Sequence, residues 1–337
     1  MRKKVLLPFD DSPFSLMYHG SAFPLGIIQG NATGDLTPWL SSKYVNCWFA
    51  STFVNKFAYY VTDHWAKEDM ILFQQRIDLY PEEFRAIYKG DIIFLFKKML
   101  ELGYYPHGTY NEEYIPGKRW FHKEYYSHDF ILIGYNEIDK HFISVGYLED
   151  KKFQRYIIPY DCMKLAISTH RNPKISYNFW KYNVDAKYDF NYERLIIELS
   201  DYLQSTTSLK IFKQNRKWGV NAIRELGEYI VTACENENYI DHRYTRGVME
   251  QKYFMNIRID YLLNNNFLRD NKYLEYANKV HHLAEVGHLL SVKFRITGNQ
   301  SISKEINNLY QKIIKLESEY LPDVLYDLQN IVREKCK

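Results

Sequence analysis

His128-Asp129-Phe130-Ile131-Leu132-Ile133-Gly134-Tyr135, followed after Asn136-Glu137-Ile138-Asp139-Lys140 by Phe142-Ile143-Ser144-Val145, is the stretch on which the reading of this chain turns. Two short runs rich in β-branched and aromatic residues, joined by a polar five-residue segment, predict a β-hairpin over 130–133 and 142–145. A third strand is expected at 153–158. Upstream, Asp91 to Leu102 predicts a helix, with Asp91 at the N-cap and Gly103 just past the last turn. Further upstream, Phe49, Phe53 and Phe57 recur at the spacing of one helix face and predict a helix over 47–61. Residues 1–40, punctuated by Pro24, Gly26, Gly30, Gly34 and Pro38, read as loops and short strands. After Asn172-Pro173 the pattern turns helical, over roughly 191–204, 217–234, 241–265, 271–296 and 301–335. The expected fold is therefore α+β, with a mixed domain over 1–178 followed by an all-α helical bundle over 179–337.

The chain has 337 residues, of which 46% are hydrophobic and 25% charged, the balance of a globular protein of about two domains. Lys+Arg 44 against Asp+Glu 41 gives a formal charge of +3, so nothing in the charge points to nucleic acid. Thirty-one tyrosines and 20 phenylalanines favour an aromatic-lined pocket or interface. Cys47, Cys162, Cys234 and Cys336 form no C-x-x-C pair, which argues against a disulfide framework or a thiolate zinc site. The apolar run from Val5 to Phe9 contains Pro8 and is too short for a signal sequence. The most continuous apolar runs, 92–96 and 130–133, are far below the roughly 20 residues that span a bilayer. The expectation is a soluble, cytoplasmic protein with no membrane partner.

A catalytic cysteine needs a thiolate, a base or cation to make it, and donors for the oxyanion formed on attack. On the expected helix, Cys47 would lie at the N-terminus, where free N–H groups and the helix dipole lower a thiol pKa. His128 opens the first strand of the hairpin, a rigid place from which an imidazole can face a helix end. Taken singly, such a cysteine is more often a small buried hydrophobe, and such a histidine more often structural.

Taken together, Asn46-Cys47-Trp48-Phe49-Ala50-Ser51 and His128 to Tyr135, with Gly134-Tyr135 at the sixth and seventh positions after the histidine, resemble the papain-like fold of bacteriocin-processing, C39-type peptidases. The whole chain, helical half included, is similar to the butirosin-biosynthesis protein H family, in which such a domain moves acyl groups from carrier-protein thioesters. The resemblance implies Cys47 as nucleophile and His128 as its base. It further implies an acyl or peptidyl carrier protein as partner, a small amine as acceptor, and no cofactor beyond the carrier's phosphopantetheine. In C39-type enzymes an Asp near the end of the second strand orients the histidine; here Tyr147 falls at that place, with Glu149 and Asp150 as alternatives across a bulge. The glutamine that papain-like enzymes carry six residues before the cysteine is Ser41, leaving Asn46 or backbone N–H groups as oxyanion donors. These departures weaken a peptidase reading more than acyl transfer, since a thioester is already activated. The expected activity is amide-forming acyl transfer in natural-product biosynthesis, against a C39-type peptidase or amidase and a non-catalytic carrier-binding scaffold.

Other features are weaker. His281, Glu285 and His288 share one face of an expected helix, loosely at metal-ligand spacing, but a polar stripe on a bundle helix is the simpler reading. Arg243 and Arg246 beside Asp241 read as an ion-pair face or as contacts to an acidic carrier. The aromatic segment from Tyr104 to Tyr126 is expected to wall an acyl pocket with the bundle's help.

Overall fold

The structure, a computed structural model, describes residues 3–53, 56–59, 72–79, 91–171, 175–208 and 215–335. The chain divides into two compact units, Met1–Thr33 with Thr62–Lys187, and Gly34–Val61 with Tyr188–Lys337. Both differ from the expected cut at 178. A strand over 175–182 still belongs to the first unit's sheet, so the change comes at 187/188, and the segment 34–61 leaves the first unit to join the helical one.

The first unit is built on an antiparallel sheet. Its elements, in chain order, are β1 (Lys4–Leu6), α1 (His19–Asn31), β4 (Leu72–Leu79), α3 (Ile92–Glu101), β5 (Tyr105–Asn111), β6 (Ser127–Asn136), β7 (His141–Tyr147), β8 (Phe153–Pro159), α4 (Tyr160–Ser168) and β9 (Ile175–Tyr182). The strand order is β4-β9-β5-β6-β7-β8, with β1 paired to β6. The hairpin and the third strand thus form as their residues dictate. Phe130, Leu132 and Phe142 meet Phe96 of α3 in one core, and Asp91 caps that helix by accepting from Phe94 N at 2.9 Å.

Helix α1 departs from the loop reading of 1–40. Its glycines and the internal Pro24 count against a helix by propensity, yet Phe23, Leu25, Ile27 and Ile28 are all buried. The glycine at 26 serves close packing: a Cβ there would lie 2.2 Å from Phe9 Cζ. Burial of the helix against its own unit outweighs its poor local preference.

The second unit holds α2 (Thr37–Ser41), the strands β2 (Trp48–Phe49), β3 (Phe57–Ala58) and β10 (Lys217–Trp218), and the helices α5 (Tyr192–Leu203), α6 (Gly219–Glu237), α7 (His242–Asn264), α8 (Lys272–Thr297) and α9 (Ser301–Lys335). The five long helices fall within three residues of their expected limits. The helix expected over 47–61 does not form. Phe49 and Phe57 pair across an antiparallel register instead, and Ala50 N donates to Lys56 O at 2.8 Å. A spacing of eight is two helical turns, but it also fits two strands about a tight reversal, and aromatic residues favour the latter. Residues 54, 55, 60 and 61 of that expectation lie outside the described residues. In the core of this unit Lys252, on α7, and Glu317, on α9, form a fully buried ion pair at 2.7 Å, completed by the Tyr202 hydroxyl, which donates to Glu317 at 2.5 Å.

Candidate active site

Strand pairing in the first unit builds a histidine–carboxylate pair. β5 and β6 run antiparallel with Tyr110 opposite His128 and Asn111 opposite Ser127. The chain leaves β5 into a single 3-10 turn, Glu112–Tyr114, and Glu112 N continues the pairing by donating to Tyr126 O at 2.8 Å. The Glu112 side chain therefore lies beside the start of β6, and its Oε1 meets His128 Nδ1 at 2.6 Å. The carboxylate is 4% exposed and the imidazole 34%, so the acid is sealed while the ring keeps a face to solvent. Lys118 Nζ stands 3.9 Å from the same oxygen, donates to Tyr147 O at 2.7 Å and lies 4.6 Å from the centre of the Tyr156 ring. Partners on both sides are what a buried carboxylate requires.

A second imidazole completes the cluster. His19 is the first residue of α1, and its ring centre lies 4.8 Å from that of His128. It stacks on Phe23 at 4.5 Å and on Tyr147 at 5.7 Å. Burial holds its pKa well below the ordinary histidine value, and the positive sides of His128, Lys118 and His107 add to the effect. His19 is neutral near pH 7, and its Nε2 is buried without a hydrogen-bond partner. The first turn of α1 thus presents His19 to His128, the place at which the sequence reading put a cysteine.

Cys47 lies in the second unit, in surroundings of a different kind. It precedes β2 and is fully buried. Its N–H donates to Asn46 Oδ1 at 2.9 Å, its carbonyl accepts from Gly219 N at 2.8 Å, and its thiol donates to Gly219 O at 3.4 Å. Gly219 is required there, with φ +54 and a Cβ position 2.0 Å from Tyr202 O. Burial pushes the Cys47 thiol up to about 12, against a smaller opposing pull from Lys252. The expectation of a helix-end thiolate is thus corrected, because neither the helix nor the exposure exists. Asn46, expected as an oxyanion donor, has its amide nitrogen on Thr206 O at 2.9 Å, and Ser41 Oγ donates to Thr37 O at 2.7 Å.

Tyr147 does not orient His128. Its hydroxyl donates to Leu16 O, while Glu112 occupies the imidazole nitrogen that Tyr147 was expected to hold. The alternatives are engaged too: Glu149 pairs with Lys123 at 2.9 Å, and Asp150 accepts from Lys152 N at 3.0 Å. Glu112, Lys118 and His19 escaped the sequence reading. Glu112 becomes visible only once β5 is placed opposite β6, and His19 only once residues 19–31 are seen as helix.

The remaining candidates find local partners. His281 faces Glu285 at 3.8 Å, whereas His288 Nδ1 lies 3.1 Å from Thr245 Oγ1, and the described residues contain no group of three or more metal-ligating side chains. Arg243 pairs with Asp241 at 2.6 Å and Arg246 with Glu250 at 2.8 Å. Cys162 is half-buried, Cys234 is buried, and Cys336 lies outside the described residues. No helix among the described residues is long and apolar enough to cross a membrane. Compared with known proteins, the chain matches no family model and no curated protein.

Proposed function

We propose that the first unit is a papain-like acyl-transfer domain in which His128, held by Glu112, is a general base acting directly on an activated acyl donor. The observation that carries this reading is the 2.6 Å contact between a sealed carboxylate and a partly exposed imidazole. Nδ1–H donates to Glu112, which leaves Nε2 as the basic nitrogen. Helix α1, with its first residue against His128, supports the papain-like reading of the mixed unit.

The substrate class is a thioester, presented on the phosphopantetheine of an acyl or peptidyl carrier protein, and the acceptor is a small amine. His128 Nε2 takes a proton from the amine as its nitrogen attacks the thioester carbonyl carbon. The tetrahedral intermediate then breaks its C–S bond, and the leaving thiolate takes the proton from the imidazolium, giving amide and thiol. A thioester needs no prior covalent activation. The acyl-enzyme expected at Cys47 is left out of this scheme because its thiol is buried and held protonated.

The test is amide formation from an acyl-pantetheine thioester and an amine, followed together with the intact mass of the protein. His128→Gln should lower the rate about 10²- to 10⁴-fold, the usual worth of a positioned base. Cys47→Ala, if folded, should keep it. An acyl adduct that disappears in Cys47→Ala, or full activity in His128→Gln, refutes the scheme; hydrolysis without amine would favour a peptidase or amidase.

A further inference from the structure

The loop that joins β5 to β6 carries a row of side chains toward His128. Arg119 Cζ lies over the Trp120 ring, 5.0 Å from its centre, Trp120 stacks on Tyr126 at 5.6 Å, and Tyr126 meets His128 edge-on at 5.7 Å. The row reaches solvent: Arg119 is exposed, Trp120 half-buried, Tyr126 44% exposed and the His128 side chain 34%. Tyr110 of the same aromatic segment is sealed in the core, whereas Trp120 and Tyr126 stay at the surface beside the base. The loop beneath them is held in place. Lys118 Nζ donates to Tyr147 O at 2.7 Å, His122 N to Glu113 O at 3.0 Å, Lys123 Nζ to Arg119 O at 2.7 Å and Glu149 N to Gly117 O at 2.9 Å. A guanidinium set over an indole spends its face and keeps its rim of N–H donors. Among the described residues no carboxylate pairs with Arg119, so its fork is set for an oxyanion that comes from elsewhere.

We infer that Arg119, Trp120 and Tyr126 form a track that leads a phosphopantetheine arm to His128, with Arg119 taking its phosphate. The identity of the arm rests on the acyl-transfer reading; the order of cation, two rings and base rests on the geometry. At one end a bidentate cation meets the phosphate oxygens. At the other the thioester carbon comes to His128 Nε2. Between them the methyl and methylene groups of the arm lie against the flanks of the two rings, which offer apolar surface at little cost in side-chain freedom. The length agrees as well. From phosphorus to sulfur the arm has about thirteen bonds, as many as some four residues of extended backbone, or roughly 15 Å. Three successive contacts of 5.0, 5.6 and 5.7 Å set the most that can separate guanidinium from imidazole at about the same distance. Arg243 and Arg246, the carrier contacts expected from the sequence, spend their charge on Asp241 and Glu250 instead.

The probes are 4′-phosphopantetheine and pantetheine, which differ only in the phosphate, titrated calorimetrically into the full-length protein. The phosphate should tighten binding about tenfold, or ~1.4 kcal/mol. Arg119→Gln should erase that preference, and Arg119→Lys, which keeps the charge but not the fork, should retain part of it. Tyr126→Ala should weaken both probes alike, and His128→Gln should leave the phosphate preference in place. Equal affinity of the two probes for the wild type, or a preference that survives in Arg119→Gln, overturns the track. Inorganic phosphate binding as tightly as 4′-phosphopantetheine also overturns it, since that marks an anion site with no use for the rings, and so does unchanged affinity in Tyr126→Ala. Should 4′-phosphopantetheine bind as described while no amide forms, the track stands and the acyl-transfer reading falls; amide formation without any phosphate preference gives the reverse.

Discussion

Glu112 and His128 are sixteen residues apart, yet their side chains meet at 2.6 Å because one directly follows a strand and the other lies at the start of its antiparallel neighbour, next to Ser127. The same oxygen of Glu112 faces Lys118 at 3.9 Å, so one buried carboxylate answers to an imidazole and an ammonium at once. A single isosteric change separates its two duties. Glu112→Gln keeps the shape, removes the charge and leaves Lys118 buried without its acid. We expect amide formation to fall about tenfold to a hundredfold, the equivalent of a charge-assisted hydrogen bond of about 1.5–3 kcal/mol. Lys118→Met with Glu112→Gln should recover stability but not rate, as read by denaturant unfolding beside turnover. Equal rates in wild type and Glu112→Gln would remove Glu112 from the mechanism.

The cysteines give a prediction opposite to that of a catalytic thiol. Cys47 is fully buried, its thiol bonded to a carbonyl and pushed up to about 12, whereas Cys162 is half-buried. Iodoacetamide near pH 7 should therefore label Cys162 before Cys47 and reach Cys47 only as the second unit unfolds. Peptide mapping of a labelling time course reads this directly. Rapid labelling of Cys47 in the native protein would restore it as a nucleophile.

Where packing followed local pattern, the sequence was sufficient. The helices over 191–335 carry apolar stripes and punctuation at Asn264 to Asn266 and Gly298, and these residues end helices as expected, Gly298 in the left-handed region at φ +64. The hairpin of 130–145 was legible for the same reason. What could not be read was whatever depends on partners distant in sequence. Helix α1 is stabilised by the fit of Gly26 against Phe9, which no propensity records. Phe49, Phe53 and Phe57 satisfied the period of a helix, yet the strand β10, more than 150 residues away, supplies the edge on which Trp48 and Phe49 pair. Of the site, His128 was visible as a residue, but its carboxylate and its neighbouring imidazole were not, since each requires a tertiary contact to be known.

The buried ion pair of the second unit makes a prediction about stability. Lys252 and Glu317 are essentially unexposed, and Tyr202 both donates to Glu317 and accepts from Lys252 at 2.7 Å. Removing one charge strands the other in a low-dielectric interior. Lys252→Met should cost about 3–5 kcal/mol, while Lys252→Met with Glu317→Leu should cost clearly less, because no unpaired charge remains. Urea unfolding monitored by far-UV circular dichroism would measure both. Additive losses in the double variant would show that the two groups do not act as a pair.

The last prediction concerns acid. His19 is held well below the ordinary histidine value by burial, reinforced by His128, Lys118 and His107. His107, whose own pKa is also lowered by burial, is drawn upward by Asp129 but not enough to reverse the direction. The unfolded chain takes up a proton at His19 as the pH falls through about 6.5, whereas the folded chain resists until much lower pH. Below 6.5 the unfolded state thus binds more protons, so stability rises with pH there and is lost on acidification. Each such histidine contributes a slope of at most about 1.4 kcal/mol per pH unit, confined to the window between its folded value and about 6.5, and nothing above it. His19→Phe keeps a ring on Phe23 but cannot titrate. Its unfolding free energy, measured from pH 7.5 downward, should run parallel to the wild type above about 6.5 and decline less steeply below it. Parallel curves throughout would mean that His19 takes up its proton equally in both states, and that its burial does not exclude the charged form.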